Sequence, residues 1–106
     1  MILDPYSIDL FGVRKDGGAD LVIVPAGPLD ASPETQTLLL DKVEAYLGYI
    51  NSVDFHTECP RATAENTHII LRLAETPPPP LLQLLERIVP WAAEHHAVFS
   101  VEIKRP

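Results

Sequence analysis

Cysteine occurs once in the 106 residues, at Cys59. No internal disulfide can form, which fits a reducing compartment. Basic residues are scarce: 8 Lys and Arg stand against 15 Asp and Glu, a formal net charge of −7. That deficit speaks against general nucleic-acid binding, which needs cations to replace phosphate counterions. It disfavours anionic membrane surfaces for the same reason. No apolar run approaches the roughly 20 residues that span a bilayer. The start, M-I-L-D-P-Y-S-I-D, has no basic residues ahead of an apolar run, so no signal peptide is expected and the cytoplasm is the expected location. Glycine is also rare, and the pair Gly17-Gly18 lacks a following helix N-terminus, so it forms no phosphate loop. The chain is not short of apolar residues. At 46% they suffice for the core of one domain over residues 1–106.

The strongest periodicity runs from Ser32 to Ile50. Leu39, Val43, Tyr46, Leu47 and Ile50 share one side of a helix with 3.6 residues per turn. Thr37, Asp41, Glu44 and Gly48 fall on the other side. Ser32 suits the N-cap, Pro33 the first helical position, and Glu34 the positive end of the helix dipole. Before this helix, Ser7–Arg14 and Ala19–Pro25 are strands joined by the turn Lys15-Asp16-Gly17-Gly18, a β-hairpin. After it, Asn51–Asn66 reads as a long connection, with room for a short strand around Val53–His56. Thr67–Leu73 alternates as a strand with one dry face, and Pro77–Pro80 breaks the chain. Leu81–His95 is a second helix whose apolar stripe stays in phase through Pro90, so one bent helix is expected. Ala97–Lys104 is the last strand.

The order β-β-α-β-α-β implies an α+β two-layer sandwich: a four-stranded mixed sheet with both helices on one face. The other face, assigned Asp9, Phe11, His68, Ile70, Arg72, Val98, Ser100 and Glu102, is left half apolar. Such a face suits a homodimer or another partner.

The hairpin I-D-L-F-G-V-R-K-D-G-G-A-D-L-V-I-V, a short acidic link and the helix L-L-L-D-K-V-E-A-Y-L-G-Y-I together resemble a family of small bacterial proteins described only as a domain of unknown function. The resemblance implies a hairpin, a helix ending in Tyr-Leu-x-x-Ile, a strand, a second helix and a closing strand. It brings no activity, cofactor or site with it.

Candidate chemistry is thin. His56 and Cys59 offer at most one pair of metal ligands, and a structural zinc needs four. His95 and His96, adjacent at a helix end, point about 100° apart and suit the negative end of the dipole better than a shared ion. Cys59 as a nucleophile has only His56 as a nearby base. Asp54 and Glu58 read as solvated loop charge. The four prolines are a stiff lead-in to a helix rather than a polyproline ligand. Tyr46, Tyr49 and Trp91 have no interleaved basic residues and read as core or flank. No cofactor is implied.

Two readings follow from the residues alone. In the first, the protein is a non-enzymatic interaction module, of inhibitor or immunity type, with Asp30, Glu34, Asp41 and Glu44 as its contact face for a basic protein. In the second, it is a small ligand-binding or enzymatic domain whose site lies on Asn51–Asn66 and uses His56, Glu58, Cys59 and Arg61.

Overall fold

Three strands rich in Val, Ile and Leu run side by side and a fourth closes the hairpin. The computed structural model describes residues 10–25 and 27–103. Its elements are β1 (Leu10–Val13), β2 (Ala19–Ile23), α1 (Pro33–Ile50), α2 (Val53–Glu58), β3 (Thr67–Leu73), α3 (Pro79–Glu94) and β4 (Val98–Ile103). The strands form one four-stranded sheet in the order β1-β2-β3-β4. β1 pairs antiparallel with β2, while β2-β3 and β3-β4 are parallel. The two crossovers step across the sheet in the same direction. Right-handed connections therefore place the helices on one face. The burial pattern agrees: Leu21, Ile23, Ile69 and Leu71 are wholly buried, together with Leu39 and Val43 of α1 and Leu81 and Ile88 of α3. The mixed α+β sandwich expected from the sequence is the architecture observed.

Local chemistry explains the elements. The Ser32 hydroxyl accepts from the Thr35 N–H and caps α1, with Pro33 at its first position and Glu34 in its first turn. Pro90 lies inside α3 on an exposed side, and the helix continues through it. In the hairpin, Gly17 adopts φ +91°. Gly18 packs so closely on Asn66 that a Cβ there would run into the Asn66 carbonyl oxygen. The same carbonyl accepts from the Ala19 N–H at 3.0 Å, so the turn is clamped against the segment leading into β3.

Two expectations need correction. The connection after α1 contains no strand at Val53–His56 but a short helix, α2. Ser52 caps it by accepting from the Phe55 N–H at 3.2 Å, and Asp54 sits in its first turn. Val53 and Phe55 favour strands, and the capping serine overrides that preference. Phe11 does not lie on the open face of the sheet. It is paired with Leu21 on the helix face, and its ring meets Tyr49 edge-on at a centroid distance of 6.2 Å. Side chains alternate with period two, so an error of one residue in phase exchanges the faces. The face away from the helices instead carries Leu10, Val22 and Ile70 in one registered row, followed by Ser100, and Val22 in the middle of that row is buried. Gly12, Asp20, His68 and Val98 form the next row. Ser7–Asp9, expected in the first strand, and Lys104, expected in the last, lie outside the described residues.

Candidate functional site

The four acidic residues expected to meet a partner are all exposed. Asp30 has a local task. Its carboxylate accepts from the Thr35 hydroxyl at 2.6 Å, the Ser32 hydroxyl at 2.7 Å and the Ser32 N–H at 3.0 Å. These bonds, that of Thr35 first, hold its pKa below the ordinary carboxylate value. Glu34, Asp41 and Glu44 project from α1 itself. The only cation in α1, Lys42, is fully buried, with its ammonium 5.4 Å from the centroid of the Tyr46 ring. The spacing contained this signal: position 42 is three residues after Leu39 and four before Tyr46, on the dry stripe. With Lys42 inside, the solvent side of α1 carries negative charge only.

The loop residues His56, Glu58, Cys59 and Arg61 are distributed among separate tasks rather than gathered. Glu58 accepts from the Tyr49 hydroxyl at 3.2 Å. The Tyr49 phenol has a raised pKa, through burial first and the Glu58 charge second. Cys59 is 2% exposed within the core cluster, and burial followed by the Glu58 charge pushes its thiol pKa up. A buried, protonated thiol is a poor nucleophile. The Arg61 side chain covers Gly17. His56 stands exposed on α2, its ring edge-on to Phe55. Among the described residues, no three His, Cys, Asp or Glu side chains gather where they could hold a metal ion. None of the described helices is long and apolar enough to cross a membrane.

His56 does line a cleft of about 280 Å³ at the amino end of β3. Ile50, Phe55 and Ala62 give it apolar walls, and His56, Thr63 and His96 add polar groups. His96 was not a loop candidate and is brought there by the tertiary fold. It stands just past the end of α3 with φ 72°, a left-handed conformation usually left to glycine. The Ala97 N–H bonds back to the Ala92 carbonyl at 3.0 Å and the His96 N–H to the Ala93 carbonyl at 3.3 Å, a Schellman motif.

Asn51 ties this corner together. Its amide nitrogen donates to the Leu47 carbonyl at 2.8 Å and the His95 carbonyl at 2.9 Å. Its oxygen must then be the acceptor, so His96 Nδ1, at 2.8 Å, carries the proton and donates. By the same logic His95 Nδ1 donates to the Trp91 carbonyl at 3.0 Å. In their neutral forms, both histidines keep Nε2 as a free acceptor. Asn51 followed by Ser52 is a helix stop and start in the sequence. That the stop also fastens α3 depends on contacts 44 and 45 residues away.

Two further hollows exist. One, of about 380 Å³, lies between the C-terminal turns of α1 and α3 and is lined by Glu44, Leu47, Gly48, Asn51, Trp91 and His95. The other, of about 280 Å³, lies beyond the carboxyl ends of β2 and β3, with Pro25, Pro28 and Pro77 beside Arg72 and Glu75. Ligands of open parallel sheets favour carboxyl ends where the strand order reverses, and this strand order never reverses.

Neither a curated protein nor a solved structure matches the chain. Over residues 1–105 it matches the model of a family of unknown function (DUF6572), the kind of family its hairpin and first helix resemble, and it belongs to that family.

Proposed function

We propose that the protein is a non-enzymatic interaction module of the bacterial cytoplasm. In this reading it binds a basic protein, in the manner of an inhibitor or immunity protein, through the exposed side of α1. The observation that carries the reading is the charge asymmetry of that helix. Glu34, Asp41 and Glu44 face solvent while Lys42, its single cation, is buried. In a chain of net charge −7, this concentrates attraction for a cationic surface on one rigid element. The test is capture from native-host cells at low ionic strength, followed by mass measurement of the intact complex. A basic partner should be retained by the natural protein. The double variant Asp41→Lys/Glu44→Lys should lose it. Retention by both would rule out α1 as the contact.

A second reading rests on the cleft at His56 and His96, whose fixed tautomer and apolar walls suit a small ligand. A thermal-shift screen against metabolites tests it. The shift produced by a hit should vanish in His96→Gly, and a screen without hits would sink the reading.

A further inference from the structure

We propose that the hollow between the C-terminal turns of α1 and α3 seats an arginine side chain of the basic protein partner. The inference rests on the reading of α1 given above and names the point at which that partner is anchored.

Four features of the hollow select a guanidinium. Glu44 supplies an exposed carboxylate at its wall. Among the described residues no ion pair or hydrogen bond engages this carboxylate. It is therefore available to an incoming cation. Trp91 supplies a half-buried indole in the same wall. Tryptophan is the best aromatic partner for a cation, and arginine the side chain that most often stacks on it.

Gly48 supplies space. A Cβ at this position would meet nothing within 4 Å, so the absent side chain leaves the hollow open along α1. Finally, α1 ends at Ile50 and α3 at Glu94, so the negative ends of two helix dipoles meet here. No lysine or arginine lines the hollow. At about 380 Å³ it falls within the range of ligand-sized sites.

Arginine fits this combination better than lysine. Its planar fork can lie on the indole while pairing in two places with a carboxylate, whereas an ammonium is a point charge. A protein-borne arginine fits better than the free amino acid. The free amino acid would bring both an ammonium and a carboxylate, whose hydration would have to be given up at an apolar wall of Leu47 and Trp91. In a polypeptide those charges are absent. Arginine is also among the residues that most often dominate interface energetics.

Trp91 is the only tryptophan in the chain, so emission under excitation selective for tryptophan reports on Trp91 alone. The experiment titrates the intact protein with acetyl-arginine amide. Acetyl-citrulline amide serves as the uncharged isostere and free arginine as the small-molecule alternative, all at matched ionic strength. A saturable change in Trp91 emission is expected with acetyl-arginine amide, with binding about tenfold weaker for the citrulline probe and for the Glu44→Gln variant. Gly48→Leu, which fills the hollow from a position with free space, should abolish the change while leaving the thermal midpoint unchanged or raised.

An unresponsive Trp91, or equal binding by Glu44→Gln and Gly48→Leu, overturns the proposal. Tighter binding of free arginine than of the blocked form also overturns it, in favour of a metabolite site. If Trp91 is unresponsive while Asp41→Lys/Glu44→Lys still loses the captured partner, the acidic-face reading stands and the arginine seat alone falls.

Discussion

Gly18 and Gly48 show how one residue type carries opposite consequences. At Gly18 a Cβ would strike the backbone carbonyl of Asn66, which cannot swing aside because it also holds the Ala19 N–H. Gly18→Ala should therefore destabilise the fold by about 2 kcal/mol or more. At Gly48 the added methyl meets empty space in the last turn of an 18-residue helix. Gly48→Ala should stabilise by up to about 1 kcal/mol, the advantage of alanine over glycine in a helix interior, which shrinks toward the helix end. Urea denaturation midpoints of the two variants measure both values, and midpoints moving in the same direction would contradict the packing described. A glycine that lowers stability without a packing reason is consistent with a helix side kept open for contact.

At the scale of elements, the helix ends hold the informative chemistry. His96 occupies the left-handed position after α3 and is held there by Asn51. Alanine would keep the backbone cost and lose the hydrogen bond, so His96→Ala should cost about 1–2 kcal/mol. Glycine removes the backbone cost, and His96→Gly should stay within about 0.5 kcal/mol of the natural protein. Equal losses in both variants would show that the conformation is not what strains the site.

At the opposite end of α1, Asp30 provides a test by pH. Its pKa is lower folded than unfolded, because hydrogen bonds from Thr35 and Ser32 favour the charged form. Its contribution is therefore present above the ordinary carboxyl pKa and is lost as pH falls through the lower, folded value. The stability difference between the natural protein and Asp30→Asn should be constant near neutral pH and shrink on acidification to about pH 2. Chemical denaturation across that range checks the sign.

For the molecule as a whole, one continuous core links α1, α2, α3 and the sheet, and Cys59 lies inside it. Its thiol is protonated by burial and sealed from solvent, so reaction with iodoacetamide requires the structure to open. Labelling under native conditions should be at least about a thousandfold slower than in the unfolded chain and should track global stability across variants. Rapid native labelling, followed by mass spectrometry, would show Cys59 to be accessible and would revive it as a loop nucleophile. The sheet face away from the helices has a different character from α1. Its Arg14–Asp20 and Arg72–Glu102 pairs balance in charge around the apolar row of Leu10, Val22 and Ile70.

Local chemistry in the sequence determined most of the elements. The hairpin turn, the Ser32 cap, the dry stripe from Leu39 to Ile50, the alternation of Thr67–Leu73 and the continuity of α3 through Pro90 each depend on residues a few positions apart. Net charge is read from composition alone. Strand order and the face that Phe11 occupies depend on register between distant segments, where one residue in phase reverses inside and outside. The union of Asn51 with His95 and His96, and the hollow shared by Glu44, Gly48 and Trp91, likewise join positions far apart in the chain. No local pattern encodes them. They exist because right-handed crossovers bring the ends of α1 and α3 to the same corner of one sheet face.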